Sequence, residues 1–237
     1  MRLKLPLSSA GLHPLEHVLG LTAFTAGAVD VLSFAALGGV FASAMTGNMA
    51  LLALYTARGN WHPAFASLVC LAGFALGAAV AAWFAHGRQA PRALAVLLRA
   101  EAVLLALFIP LLAWLGPPGG RLLTYLPILP LSTAMGVQII IGRKLNLANV
   151  PTVVFTSTLA SAVTALADAA RAGHFVLPAD ARRQAMALAA YLAGAFVSAL
   201  LAGFIPFLAP WLPLFSTAAA IFRHRGACYP SGPAATP

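Results

Sequence analysis

Residues 18–48 read VLGLTAFTAGAVDVLSFAALGGVFASAMTGN, and this segment defines the class of the protein. A long apolar run carries a single carboxylate, Asp30, and ends after a Gly38-Gly39 break in the polar cluster MTGN at residues 45–48. Polar groups in lipid cost free energy unless they meet each other, a cavity or a solute. Asp30 and the MTGN cluster are therefore where we expect a functional site.

The rest of the chain is equally apolar. Of its 237 residues, 61% are hydrophobic and only 8% are charged, and the mean hydropathy is +0.91. A membrane span needs about 20 apolar residues, and the chain has room for about six to eight such segments. Period-two alternation is absent and Ala and Leu dominate, which indicates helices rather than barrel strands. The sequence predicts an all-α membrane protein, a bundle of six to eight transmembrane or re-entrant helices.

The apolar segments divide the chain into a single membrane domain with two tails. We predict a cytoplasmic N-terminal tail at residues 1–14, an integral membrane domain at 15–222 and a polar C-terminal tail at 223–237. Arg2 and Lys4 are not followed by an apolar core with a cleavage site, so the first tail is interpreted as retained. The apolar segments lie at about residues 18–37, 41–57, 64–85, 93–115, 122–142, 151–169, 185–203 and 204–222.

Short motifs recur in the same order and predict two internal repeats. GAVD at 27–30 precedes MTGN, and GVQ at 136–138 precedes FTST at 155–158. LAG at 71–73 is repeated at 192–194. The halves are predicted at about 18–85 and 122–203, with the segment 93–115 between them. Repeats with broken helices are typical of secondary transporters, whose sites lie where the breaks meet.

The relative orientation of the repeats stays open at this level. If all segments span, the halves are parallel and nine Lys/Arg lie inside with five outside. If segments two and six re-enter, the halves are inverted, and twelve lie inside with only Arg58 and Arg121 outside. The charge bias favours re-entry, whereas the nineteen residues of segment 151–169 are enough to cross. We predict a cytoplasmic N-terminus and cytoplasmic Arg88, Arg92 and Arg99.

The motifs resemble a known family. GxxD at 27–30, GGxF at 38–41 and MTGN at 45–48 are similar to the first block of the YoaK family of bacterial membrane proteins. AMGVQ at 134–138 and VPTxxFT at 150–156 resemble its second block, and the similarity covers roughly residues 15–222. The chain departs from the family pattern at Ile139 and Ser157. The resemblance implies a multi-pass inner-membrane protein and implies no established activity.

The predicted site combines polar residues from both halves. Asp30 lies near mid-bilayer, where a carboxylate could accept a proton, pair with a cation or hold a solute's amine. Alternatively it bonds only to a neighbouring helix. Gln138 is expected to reach Asp30 or Asn48, because a buried amide needs a partner. Glu101 and Asp168 are interpreted as interfacial. The predicted substrate-binding residues are Asp30, Thr46, Gly47, Asn48, Gln138, Thr156 and Thr158.

These features favour transport over the other classes of function. No nucleophile elbow, zincin motif, Walker loop or dinucleotide fingerprint is present, and no two His have metal spacing inside a span. We therefore expect no enzyme, no metal, no cofactor and no nucleic-acid partner. The sequence predicts a small-molecule transporter or permease of the bacterial inner membrane, with a polar site near the midplane at the repeat interface. Its partners are then lipid and a small solute. Coupling of transport to protons and assembly into a homo-oligomer are both compatible with this prediction. The alternative is a non-transporting scaffold or regulator whose polar residues only lock helix packing.

Overall fold

The described residues fold into helices, which confirms the predicted all-α membrane bundle. The structure is a computed structural model that describes residues 14–118, 122–145, 155–171 and 178–226. Within these ranges there are eight α-helices, one short 3-10 helix and no strand. They are α1 (Pro14–Ala36), α2 (Met45–Ala57), α3 (Trp61–Ala85), α4 (Ala90–Leu115), the 3-10 helix (Leu122–Tyr125), α5 (Ile128–Leu145), α6 (Phe155–Arg171), α7 (Ala179–Phe204) and α8 (Trp211–Arg225).

Five of the described segments are long and apolar enough to cross a membrane. They are α1, α3, α4, α7 and the stretch 122–145 that contains α5. The other helices are shorter, with 13 residues in α2, 17 in α6 and 15 in α8. At 1.5 Å per residue α2 is about 20 Å long, whereas the hydrocarbon core is about 30 Å thick. A straight α2 is therefore too short to cross a bilayer.

Two apolar clusters show how the helices are oriented. The first joins the start of α1 to the ends of α3 and α5, and it includes Leu15, Ala85 and Leu145. The second joins the end of α1 to the beginnings of α3 and α5, and it includes Leu37 and Ile128. Helix α1 therefore runs opposite to α3 and α5. Because α4 starts in the first cluster and ends in the second, it runs parallel to α1.

Helices α1 and α7 are parallel and in close contact. Near their first turns, Arg183 of α7 pairs with Glu16 of α1 at 2.7 Å. Farther along, a Cβ on Gly27 would overlap the backbone carbonyl of Tyr191. A Cβ on Gly194 would likewise overlap the carbonyl of Phe24. Glycine at these two positions lets the two backbones touch, as small residues do at helix interfaces in membranes.

Helices α3 and α5 form a second parallel pair of the same kind. His62 and the Tyr125 hydroxyl lie 2.9 Å apart where α3 begins, and Thr133 donates to the Gly73 carbonyl at 3.1 Å farther along. A Cβ on Gly77 would overlap the carbonyl of Thr133. Gly73 and Gly77 form a GxxxG pair on α3, and they serve packing, which is the usual role of this motif in membrane helices.

The basic residues collect at one end of the bundle, which we call the basic end. This is the end where α1 begins. The α3–α4 turn, the end of α5, the start of α7 and the end of α8 lie at the same end. The basic residues there are Arg88, Arg92, Arg143, Lys144, Arg182, Arg183, Arg223 and Arg225. Arg58, in the α2–α3 turn, lies at the opposite end.

Helix α2 enters the bundle and leaves it on the same side. Helix α1 ends and α3 begins at the end opposite the basic end, so residues 37–60 start and finish there. Between these points, Ser43 lies beside Asp30. Asp30 is six residues before the end of α1, which corresponds to a depth of about 9 Å along the helix axis. The chain therefore runs from Leu37 into the bundle as far as Ser43, and α2 then runs back to the same end at Arg58. This is a re-entrant path for segment two, which the sequence left open.

Candidate functional site

The Asp30 carboxylate is the centre of a polar cluster inside the bundle. Asp30 is 2% exposed. Its Oδ1 accepts the backbone N–H of Ser43 at 2.7 Å, and its Oδ2 accepts the Ser43 hydroxyl at 2.6 Å and the Tyr191 hydroxyl at 2.8 Å. One carboxylate thereby joins α1, the segment before α2, and α7. Three donors on one buried carboxylate make this a strongly held junction.

The chain needs an unusual backbone to reach this carboxylate. Gly38 and Gly39 have φ values of 80° and 79°, which L side chains rarely adopt, and these angles reverse the chain after α1. The reversed segment is fixed to α1 a second time, because the Ala42 N–H donates to the Ser33 hydroxyl at 3.1 Å. The Gly-Gly break and the Asp30–Ser43 contact are thus two parts of one turn.

Asn48 holds the other side of the same turn. Its Oδ1 accepts the Phe41 N–H at 3.0 Å, and its Nδ2 donates to the Phe41 carbonyl at 2.5 Å and to the Cys70 sulfur at 3.3 Å. Asn48 is fully buried. Gly47 is also constrained, since a Cβ there would lie 3.2 Å from the Phe41 ring. Thr46 is exposed, so of the three predicted binding residues in this cluster Gly47 and Asn48 belong to the turn contact and Thr46 does not.

Gln138 does not meet Asp30, and the predicted pairing of these two residues is wrong. Gln138 is fully buried in α5 and donates to the Thr22 carbonyl at 2.6 Å. Thr22 lies eight residues before Asp30 on α1, about 12 Å away along the axis. Because α1 and α5 run in opposite directions, Gln138 faces the half of α1 nearer the basic end. The second-half residue that reaches Asp30 is Tyr191.

The remaining predicted residues lie on α6. Thr156 is exposed, whereas Thr158 is 1% exposed. Helix α6 packs on α7. Residues 146–154, which include the VPT motif before α6, lie outside the described residues. The structure therefore describes the first half of the predicted site and only part of the second.

Sequence reasoning missed Tyr191, Ser43 and Cys70. Tyr191 had a usable signal, because a tyrosine hydroxyl inside an apolar run needs a hydrogen-bond partner and the only acidic residue in segment one is Asp30. Ser43 and Cys70 had no such signal. Their role depends on the path of the chain after the Gly38-Gly39 break and on how α2 lies against α3, neither of which can be read from residue spacing.

A second buried carboxyl lies where α1, α4 and α8 meet. Glu101 is fully buried, and its Oε1 accepts the Thr217 hydroxyl at 3.4 Å. The Thr217 hydroxyl lies 3.5 Å from that of Thr25. The interpretation of Glu101 as interfacial is wrong, because α4 begins at Ala90 and places it near mid-helix, facing inward. Asp168, by contrast, is exposed on α6.

Two cavities are described, and Asp30 lines neither. One, of about 510 Å³, is apolar and lies between α2, α3 and the 3-10 helix, next to Trp61 and Tyr125. The other, of about 250 Å³, lies between α4 and α8 near the basic end. Among the described residues, no group of His, Cys, Asp and Glu could hold a metal ion. In this structure the Asp30 cluster is closed.

These features define a multi-pass α-helical membrane protein with a broken helix and buried carboxyls inside its bundle. The chain belongs to the family described as "Protein of unknown function (DUF1275)", whose family model matches residues 18–222. It is 35% identical over 147 residues to the UPF0700 transmembrane protein YoaK of Bacillus subtilis (strain 168), a match that covers 61% of this chain and 64% of that protein. The resemblance to the YoaK family is thus confirmed. No solved structure matches the chain.

Proposed function

We propose that this protein is a small-molecule transporter of the bacterial inner membrane, built from two inverted repeats, α1–α4 and α5–α8. The observation that carries the proposal is the re-entrant α2, which begins inside the bundle beside the buried Asp30 carboxylate. Broken helices that end at a midplane polar site are typical of secondary transporters. Irregular backbone at membrane depth is tolerated where it is buried in protein or lines a cavity, and here it is buried against Asp30.

The packing of the helices supports the repeat. The first helix of each half packs on the third helix of the other half, α1 on α7 and α5 on α3. Both crossings are close contacts at glycines, Gly27 and Gly194 between α1 and α7, and Gly136, Gly73 and Gly77 between α5 and α3. The short second helices pack on their own third helices, and the fourth helices α4 and α8 pack on α5 and α1. On this packing we propose that α4 belongs to the first half rather than to a segment between the halves.

The directions of the helices support inversion. Helix α1 runs opposite to its counterpart α5, and α3 runs opposite to its counterpart α7. Two halves with opposite directions are related by an axis in the membrane plane, the arrangement of inverted-repeat transporters. The basic end agrees with this topology, because Lys and Arg are enriched in cytoplasmic loops.

The topology gives a specific prediction about sidedness. A cysteine at Arg58 should react with an impermeant maleimide added from the periplasm. A cysteine at Arg88 should react only when the cytoplasmic face is opened, and an N-terminal reporter fusion should be active in the cytoplasm. Cysteine-free parent protein serves as the control. Labelling of both positions from one side would mean an even number of crossings between them, and the inverted topology would fail.

In this closed state Ser43 and Tyr191 occupy the Asp30 carboxylate. Transport would require the Gly38–Asn48 turn to move away, so that a proton, a cation or the amine of a solute replaces these donors. The direct test is a thermal-shift screen of purified protein against metabolite classes, followed by uptake of each hit into proteoliposomes. A stabilising metabolite that is also taken up supports the proposal, and binding without uptake contradicts it.

One observation favours the second candidate, a scaffold or regulator. The described hydrogen bonds of Asn48 go to the Phe41 backbone and to the Met45 and Cys70 sulfurs, and that of Gln138 goes to the Thr22 carbonyl. These bonds lock the fold and need no solute. If these residues have only that role, the turn stays closed throughout the life of the folded protein. The two candidates therefore differ in one property, the opening of the turn around Asp30.

A further inference from the structure

The geometry points to Glu101 as a proton-binding site that exchanges its proton with the basic end through the cavity between α4 and α8. This site is separate from the Asp30 cluster. Its test needs no transported solute, so its outcome does not depend on the proposed function.

Glu101 has an incomplete set of partners. Its Oε1 accepts from Thr217, while Oε2 is buried and has no hydrogen-bond partner among the described residues. A carboxylate in a bundle needs compensation by charges or by several donors, and one long hydroxyl contact of 3.4 Å supplies little. A proton on Oε2 removes the charge. The chemical step is the transfer of a proton from hydronium to the carboxylate, which leaves a neutral carboxyl and water.

No compensating charge faces Glu101 from the described neighbours. The described ionisable groups of α1, α3, α5 and α8 lie at or near the ends of those helices, apart from two. Asp30 of α1 is held by Ser43, and Cys70 of α3 contacts Asn48. Arg99 and Arg92 are on α4 itself. No ion pair between Glu101 and any of them is described. The groups at or near the helix ends are Glu16, His17, His62, Tyr125, His86, Arg143, Lys144, Arg223, His224 and Arg225.

The cavity brings solvent close to this carboxyl. It has a volume of about 250 Å³ and is lined on α4 by Pro91, Ala95 and Leu98, and on α8 by Ile221 and His224. Leu98 is three residues before Glu101, and Ile221 is four residues after Thr217. The inner wall of the cavity therefore lies about one helical turn from the carboxyl. Thr217 and Thr25 continue the line of polar groups beyond it.

The cavity also has a polar entrance. Arg99 and Arg225 line it together with His224, whose Nε2 lies 3.1 Å from the Pro91 carbonyl. A cavity of this size with polar partners can hold several waters, since each occupies about 30 Å³ in the liquid. Water in the cavity and one turn of helix then separate Glu101 from the solution at the basic end.

Infrared spectroscopy of the reconstituted full chain tests the site. The spectrum of the wild type minus that of Glu101→Gln should contain the C=O band of a protonated carboxyl, which disappears when the pH is raised and returns when it is lowered. Glutamine keeps the size and hydrogen bonding of the side chain, so the variant should fold. Absence of the band at every pH, or a band that persists until the protein unfolds, would overturn the proposal.

The pathway is tested by filling the cavity. Ala95→Phe should slow the loss of the Glu101 band after a pH jump by about tenfold, the effect of a barrier higher by about 1.4 kcal/mol. Val96→Phe is the matched control, because Val96 is the next residue of α4 and is 47% exposed outside the bundle. It should leave the rate unchanged. Equal rates in Ala95→Phe and wild type would show that the proton takes another route.

Discussion

Asp30→Leu is expected to lower the free energy of unfolding by about 2–4 kcal/mol. The substitution removes the acceptor of three hydrogen bonds, those from the N–H and hydroxyl of Ser43 and from the hydroxyl of Tyr191. Each buried group that loses its partner costs about 1–3 kcal/mol, although hydrogen bonds between membrane helices average only about 0.6 kcal/mol. Tyr191→Phe, which removes a single donor, is the control and should cost about 1 kcal/mol. Unfolding in detergent by increasing dodecyl sulfate measures both values.

Asp30→Asn separates the role of the charge from that of the fold. Asparagine keeps one acceptor and has nearly the same size, so we expect the free energy of unfolding of the variant to lie within about 1 kcal/mol of the wild-type value. It cannot bind a proton or balance a cation. If Asp30 serves transport, Asp30→Asn should abolish uptake of any solute found in the screen while the protein remains folded. Unchanged uptake in Asp30→Asn would remove Asp30 from the site.

Gly27→Ala is expected to destabilise the bundle by up to about 3 kcal/mol. Its Cβ would overlap the Tyr191 carbonyl and lie 3.0 Å from the Ala195 nitrogen. Both are backbone atoms, so relief requires α1 and α7 to move apart, and overpacking of this kind costs about 1–3 kcal/mol. The Asp30–Tyr191 contact, one turn along α1, would weaken with it.

Gly20 supplies a matched control on the same helix. A Cβ there meets nothing within 4 Å. Because alanine is the better helix former, Gly20→Ala should be neutral or stabilising by up to about 1 kcal/mol. On the second crossing, Gly136→Ala should behave like Gly27→Ala, since its Cβ would overlap the Phe74 carbonyl. If Gly27→Ala and Gly20→Ala unfold alike, the close approach of α1 and α7 is incorrect.

The class of the fold could be predicted because it depends on composition. Apolar runs about 20 residues long allow little besides membrane helices, and Asp30 stands out because a carboxylate in such a run must be buried or paired. The Gly38-Gly39 break also indicated the point where the chain reverses. These inferences need only the local sequence.

The partners inside the bundle could not be predicted in the same way. Whether Gln138 meets Asp30 depends on the direction and depth at which α5 passes α1, and residue spacing fixes neither. The depth of Glu101 depends on α4 beginning at Ala90, about a turn before the apolar run that marked its start, and its inward direction depends on how α4 packs on α5 and α8. The charge count favoured re-entry of segment two. It carried no information on the geometry of the turn, which the contacts of Ser43 and Asn48 determine together.

The most direct test of the account is the reactivity of Cys70 in the membrane. The chain has two cysteines, so Cys228→Ser leaves Cys70 as a single probe. Cys70 is fully buried against Asn48 and the Phe41 carbonyl, at the wall of the turn that must open for transport. A small hydrophilic methanethiosulfonate reagent should label it slowly in native vesicles, and a transported solute should change the rate. If Cys70 is not labelled until the protein is unfolded, the result would contradict transport and favour the alternative function as a scaffold or regulator.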